Sequence, residues 1–236
     1  MKKMNIAIIT AGGIGERMHQ QIPKQFINVY DKPIIIYTLE AFQKHPDIDA
    51  IIVACLDGWK EIMLAYAKQF GIDKIKWIVT GGKTGQESIK NCVNTLEKEC
   101  NGDDIVLVHD GNRVMVSSDI ISDCIAKTKM YGSAIAAEVC KEAILSTDDQ
   151  ETSKISIPRD SLMKTQTPHG FPLSKLIWAH EEAAKRGITN SVASCTLMIE
   201  LGEEVHLSAG SSKNFKITTL DDIDIFKAML NANKRN

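Results

Sequence analysis

The residues best suited to hold a polyphosphate begin close to the start of this chain. A short apolar run, Ile6 to Ile9, leads into Ala11-Gly12-Gly13-Ile14-Gly15, and two cations follow at Arg17 and Lys24. Where backbone must pass close to a phosphate, Cβ atoms are in the way, and glycines let several N–H groups point at one anion. Arginine adds a planar fork and lysine a point charge on a flexible stem. A strand feeding a glycine turn and two cations makes a cradle for a triphosphate. Two residues far along the chain could join it. Asp110 ends the apolar run Ile105-Val106-Leu107-Val108. Its carboxylate suits Mg²⁺ bridged to substrate phosphates, and an Asp after a strand equally suits a helix N-cap. Lys216 lies between Phe215 and Ile217 in a strand-like context, so it either snorkels from an edge or is aimed into a site.

Two commoner glycine loops do not fit. The dinucleotide fingerprint G-x-G-x-x-G needs glycine last, where Gly13-Ile14-Gly15-Glu16-Arg17-Met18 has methionine. The P-loop's Lys-Ser or Lys-Thr after the last glycine is absent too. A glycine-rich turn alone serves packing as readily as binding. With Pro23-Lys24-Gln25-Phe26 included, the sequence resembles the cytidylyltransferases of the isoprenoid and teichoic-acid pathways, whose signature reads A-G-G-x-G-x-R-M…P-K-Q-F. The resemblance covers nearly the whole chain. It implies transfer of CMP from CTP to a polyol phosphate, 2-C-methyl-D-erythritol 4-phosphate or D-ribitol 5-phosphate, with release of pyrophosphate and with Mg²⁺ as cofactor. Such a reaction asks for little covalent help. The protein must hold two polyanions together and stabilise charge building on the α-phosphate oxygens.

Residue by residue, the resemblance gives Lys24 to the α-phosphate and Arg17 to the β and γ phosphates. Lys216, in Asn214-Phe215-Lys216-Ile217-Thr218, matches N-I-K-[VI]-T and becomes a second α-phosphate cation, while Asp110 becomes the metal ligand. Ala11, Gly12, Gly13 and Gly15 fall to substrate binding. In the turn Gly81 to Ser88 the family reads the cytosine edge, which implicates Gly82 and Ser88; from the residues alone Ser88 equally fits the first turn of a helix. Arg159 and Thr167 are spaced as R-x(7)-T-P. That pair is implied to contact the acceptor phosphate, with the arginine supplied by a neighbouring subunit, and a fork-shaped cation matches a terminal phosphate. Residues 138–165 are thereby expected to form a dimerisation β-arm, and the protein to be a homodimer. His109 reads as structural, because an ionised phosphate nucleophile needs no imidazole base.

Three positions depart from the family pattern. D-A-[AV]-R-P is present as Asp110-Gly111-Asn112-Arg113-Val114, which loses the loop-stiffening proline and keeps the metal carboxylate. The arginine of the base-binding turn is Gly85, which bears on cytosine selectivity. The T-D-[EA] run that faces the polyol falls on Val192-Ala193-Ser194 or, displaced, on Thr189-Asn190-Ser191, which bears on the choice of acceptor. The wording around Pro158-Arg159-Asp160 and Gln166-Thr167-Pro168 looks more like the ribitol branch. Two other readings stay open: another sugar-phosphate nucleotidyltransferase, or a nucleotide-binding regulator that has lost turnover. Retention of Lys24, Asp110, Arg159 and Lys216 together argues against a regulator, which needs only the nucleotide half.

These residues need elements to position them. Apolar runs at Ile6–Ile9, Ile51–Cys55, Trp77–Val79 and Ile105–Val108 predict strands, and helical spacing over 33–42, 59–70 and 86–98 alternates with them. Alternation of this kind predicts an α/β fold, a Rossmann-like doubly wound, mainly parallel sheet whose loops gather outside the carboxyl ends of the strands. The resemblance adds the nucleotide-diphospho-sugar transferase type with a protruding β-arm. After Ala136 the pattern breaks, and 138–158 reads as polar and irregular. Helices return near 173–186 and 194–201, then a strand near 205–207 and a last helix after Asp222. No linker or repeat divides the 236 residues, so one domain is expected. A 44% hydrophobic and 25% charged composition is ordinary for a soluble protein. A net charge of −2 argues against a nucleic-acid surface. No apolar run approaches the roughly 20 residues that span a bilayer. With no leader-like segment and six scattered cysteines, a cytoplasmic location with reduced thiols is the expectation.

Overall fold

In a computed structural model describing residues 3–13 and 22–233, the chain opens on β1 (Asn5–Ala11), the strand on which the sheet is centred. Two-residue strands β2 (Asn28–Val29) and β3 (Lys32–Pro33) form a small ribbon ahead of α1 (Ile34–Lys44). Next come β4 (Ala50–Cys55), α2 (Lys60–Gln69), β5 (Ile75–Thr80), α3 (Gly85–Glu99) and β6 (Ile105–Asp110). β1 pairs in parallel with β4 on one side and β6 on the other, and all three are almost wholly buried. That double burial is why they read as continuous apolar runs rather than alternating ones. Side chains of β1 nevertheless divide by parity. Ala7, Ile9 and Ala11 enter a core with α1, α2 and the later helix α4 (Ser118–Tyr131), whereas Ile6 and Ile8 enter the core on the opposite face.

The chain steps outward from β1 to β4 and β5, then returns to lay β6 on the far side of β1. The direction of winding therefore reverses between β1 and β6, and ligands of open α/β sheets bind at such a reversal. Gly12 and Asp110 sit at those two strand ends.

Beyond β6 the order is β10 (Met163–Pro172), β7 (Ala134–Val139) and β11 (Leu207–Ala209). β10 runs antiparallel to both neighbours, so the sheet is parallel except for one strand. Helices α5 (Leu173–Lys185) and α6 (Ser194–Glu200) cover the face shared with α3, and α7 (Leu220–Asn233) closes the chain. Between β7 and β10 the chain forms a separate two-stranded hairpin, β8 (Ile144–Ser146) with β9 (Ile155–Ile157).

The structure departs from the residue patterns at five points. Residue patterns alone read the stretch from Glu138 as irregular, because three-residue strands give too little alternation to see; it holds the hairpin, where the resemblance implies a β-arm. β10 is unexpected because its residues include Pro168, Gly170 and Pro172; proline cannot donate to a ladder, and the register shifts between Thr165 and His169 where it sits. α4, to which the sequence reading assigns no element, is bounded by Ser117, whose hydroxyl accepts from the Ile120 N–H, and by Gly132 at φ +75°. The strand expected at 205–207 lies at Leu207–Ala209. Lys216 is in neither strand nor helix. The segment is shaped by Asp222, whose carboxylate accepts from the N–H groups of Thr218 and Thr219 at 2.7 and 2.8 Å. Among the described residues no helix is long and apolar enough to cross a membrane.

Candidate active site

Two turns, one after β1 and one after β5, touch across the end of β4, which lies between those strands. A Cβ on Gly12 would lie 3.2 Å from Ser88 Oγ and 3.3 Å from Gly81 Cα, and one on Gly81 would lie 3.0 Å from Gly12 Cα. Side chains at both positions would force the β1 and β5 turns apart. Gly82 follows, and its N–H donates to Ser88 Oγ at 3.0 Å, while that hydroxyl donates to the Thr84 carbonyl at 2.9 Å. Ser88 is a first-turn residue of α3, one of its two readings, and its hydroxyl also holds Gly82. Thr84 caps the same helix, its hydroxyl accepting from the Glu87 N–H at 3.1 Å. Among the described residues nothing lies within 4 Å of where a Cβ on Gly13 would go.

Lys24 begins a short 3₁₀ turn with two buried neighbours as anchors. Gln25 Nε2 donates to the Ala11 carbonyl at 2.7 Å, and Phe26 stacks on Trp59 at 4.5 Å. The lysine is therefore carried on a pinned turn. Gly15 and Arg17 lie outside the described residues.

Asp110 is the hub of the opposite wall. Its Oδ1 accepts from Lys216 Nζ at 3.0 Å and its Oδ2 from Arg113 Nε at 3.0 Å. Burial alone would raise this carboxyl, but Lys216 and Arg113 outweigh it and bring it down to about 2. It is not a helix cap, since Ser117 fills that role for α4. The Asp110 N–H donates to Thr167 Oγ1 at 3.0 Å, and that hydroxyl also meets His109 Nδ1 at 3.0 Å. His109 is fully buried, which brings its ring down to about 4 and keeps it neutral. Its Nε2 faces the Arg113 carbonyl at 3.2 Å and must carry the ring proton, so Nδ1 accepts and Thr167 donates. The hydrogen of Thr167 is thereby committed inside the protein. His109 is structural, as the sequence reading has it, and offers no free base.

A cavity of about 450 Å³ brings together Gly12, Gly13, Lys24 and Gly82 with Ser88, Asp110, Thr167 and Lys216. Ala11 lies behind its wall, the carbonyl accepting from Gln25 and from the Leu56 N–H. Arg159 is not in the wall; its guanidinium is exposed and donates to the Lys141 carbonyl at 3.3 Å. Residues to which the sequence reading gives no role also line it, among them Thr10, Arg113 and His180. The signal for Arg113 was its place three residues after Asp110; nothing marked His180. Of the departures, Gly85 opens α3 without close neighbours, and Val192 stands at the cavity lip with 94% of its surface exposed. Among the described residues no three His, Cys, Asp or Glu side chains converge as a metal cluster, and Asp110 is the one carboxylate among those lining the cavity.

The family model described as 2-C-methyl-D-erythritol 4-phosphate cytidylyltransferase matches residues 5–232. A ribitol-5-phosphate cytidylyltransferase of Lacticaseibacillus paracasei is 43% identical over 96% of this chain and 98% of its own. A 2-C-methyl-D-erythritol 4-phosphate cytidylyltransferase of Clostridium botulinum is 34% identical over 96% and 97%. Among solved structures, the Francisella tularensis 2-C-methyl-D-erythritol 4-phosphate cytidylyltransferase superposes with a TM-score of 0.81 at 28% identity, covering 96% of this chain and 99% of that one.

Proposed function

From the premise that this chain belongs to the 2-C-methyl-D-erythritol 4-phosphate cytidylyltransferase family, we propose that its acceptor is D-ribitol 5-phosphate. The chain is a nucleotidyltransferase: a polyol phosphate takes CMP from CTP, and pyrophosphate leaves. The choice of ribitol is supported by the 43% identity to a ribitol-5-phosphate enzyme against 34% to a methylerythritol-phosphate enzyme. The test is pyrophosphate release over a panel of polyol phosphates with each of four nucleoside triphosphates. Preference for CTP with ribitol 5-phosphate is the expected result; higher kcat/KM with the methylerythritol phosphate would reverse the choice of acceptor.

The observation that carries the mechanism is the meeting of Lys24, Lys216 and Asp110 with the Gly12 and Gly82 turns in one cavity. An acceptor phosphate oxygen attacks the α-phosphorus of CTP, the new P–O bond forms, and the bond to pyrophosphate breaks. The nucleophile arrives ionised, so no base is required, in keeping with the neutral and fully engaged His109. Lys24 and Lys216 offset charge on the α-phosphate oxygens. Backbone N–H groups of the glycine turns hold the triphosphate, and Gly82 with Ser88 meets the base. One lining carboxylate fits Mg²⁺, which takes one or two carboxylates together with substrate phosphates and water. Asp110 would hold the ion, and the chemistry it would supply there is positive charge to offset the substrate phosphates.

The working unit in this reading is a homodimer. Arg159 is absent from the cavity of its own chain, yet a terminal phosphate calls for a forked cation. The β8–β9 hairpin exposes Leu145 and Ile155, apolar surface suited to a second copy. Arg159 then serves the neighbour's acceptor phosphate.

A further inference from the structure

Lys216 has no regular structure to hold it, because residues 215–218 form neither helix nor strand. Its 3.0 Å bond to Asp110 lies at the end of four methylenes, which leave the backbone free to drift. The backbone is fixed from the loop after β6. Asn112 is buried and bonds Ile217 twice. Its main-chain carbonyl accepts the Ile217 N–H at 2.9 Å, and its side-chain amide donates to the Ile217 carbonyl at 2.5 Å. One bond would leave the two segments able to rotate about it. Two bonds to the two polar groups of a single residue fix both offset and twist, as one rung of a β-ladder does. The rung lies one residue from Lys216 on one strand of the chain and two residues from Asp110 on the other. Arg113 Nη1 supports the other side of the lysine, donating to the Asn214 carbonyl at 2.8 Å.

We propose that Asn112 is a positioning residue for the transfer: its paired bonds to Ile217 set Lys216 against Asp110, so that the ammonium meets the α-phosphate. Asn112 occupies one of the positions where the sequence departs from D-A-[AV]-R-P, in the same loop that has lost its proline at Val114. A side-chain rung takes over the stiffening. The inference rests on the reading of Lys216 as a phosphate cation.

The experiment is a double-mutant cycle. Asn112→Ala removes the side-chain bond; Asn112→Asp keeps the shape and turns a carboxylate oxygen toward the Ile217 carbonyl. Each is made in the wild-type chain and in a Lys216→Ala chain, with kcat from pyrophosphate release, CTP affinity by calorimetry and Tm as readouts. In the wild-type chain kcat should fall roughly ten- to hundredfold, the cost of a reacting group displaced by an ångström or less, while CTP affinity is retained. In the Lys216→Ala chain the same substitutions should cost almost nothing more, because the group being positioned is gone. Equal losses in both backgrounds would make Asn112 a general prop of the loop and overturn the proposal. Wild-type kcat in both Asn112 variants would overturn it as well. A Lys216→Ala chain with wild-type kcat sinks the lysine's own role, and the positioning role with it. If the alanine variant does not fold, the isosteric aspartate variant carries the cycle alone.

Discussion

Lys24 and Lys216 reach one cavity from segments nearly two hundred residues apart in sequence, and neither is replaced by the other in the geometry described. Lys24 rides on a turn anchored by Gln25 and Phe26, whereas Lys216 is held against Asp110. Replacing either by alanine should lower kcat by roughly 10²–10³-fold, the usual loss when one preorganised transition-state donor goes. Steady-state kinetics at saturating CTP check this, and near-normal kcat in either variant removes that lysine from the mechanism. Both lysines and Asp110 were legible because they sit inside short motifs. Arg113 and Asn112 were not, since their partners at 214 and 217 are about a hundred residues distant and only the fold brings them together. The hydroxyl of Thr167 was legible as a site residue, but not its direction, which depends on the tautomer of His109. His180 gives the pH prediction. It is 4% exposed, neither ring nitrogen has a hydrogen-bond partner among the described residues, and burial, helped by Lys90, brings it from 6.5 to about 4. As pH falls below 6.5 the unfolded ring takes a proton first, so its contribution to stability is full above that pH and fades toward about 4. His180→Leu should therefore hold or raise Tm at neutral pH and flatten the fall in Tm between about pH 6.5 and 4. An unchanged slope in calorimetric scans would show that this ring does not drive acid instability.

At the scale of elements, the sequence was most readable where burial on both faces leaves a continuous apolar run. β1, β4 and β6 announce themselves in that way, and α3 falls at Gly85–Glu99 against an expected 86–98. β10 shows the converse. Its composition of Thr, Gln, His, Gly and two prolines reads as a loop, and it is a strand because α4 and its two neighbours enclose it. Gly170 marks how tightly. A Cβ there would run into the hydroxyl of Thr128 and would come within 3.0 Å of Cys124 Sγ, both on α4. Thr128 cannot simply turn away, since its hydroxyl donates to the Cys124 carbonyl at 2.7 Å in a fully packed layer. Gly170→Ala should overpack this layer and cost about 1–3 kcal/mol. For a chain of this size that corresponds to a fall in Tm of roughly 2–12 °C. Differential scanning calorimetry measures it, and an unchanged Tm would mean that α4 can retreat from β10 freely. Because β10 carries Thr167, whose hydroxyl accepts the Asp110 N–H, the same variant should also lower activity below its own melting range.

The whole molecule places its cations where a local charge is needed and keeps its net charge at −2. The sequence pointed to a doubly wound α/β sheet, but not to the place of the reversal between β1 and β6, because strand order depends on contacts that no local pattern records. Nor could it locate Arg159 relative to the cavity. That residue lies just past the hairpin, exposed and outside the pocket wall. A hairpin of two three-residue strands has too little core to stand alone, and Leu145 on one face and Ile155 on the other are both exposed. The proposed homodimer would account for both facts, since the same hairpin and the same pocket then meet twice about one axis. The prediction is complementation between two crippled chains. An Arg159→Ala chain and a Lys24→Ala chain, each nearly inactive as a homodimer, are mixed and allowed to exchange subunits. In the heterodimer the pocket of the Arg159→Ala chain has its own Lys24 and receives an intact arginine from its neighbour. The other pocket lacks both. Half the sites of each heterodimer are therefore whole, and activity should reappear in step with exchange, which native mass spectrometry follows independently. Exchange without recovery would mean that Arg159 acts on its own chain's substrate, or on none, and the shared site would fall.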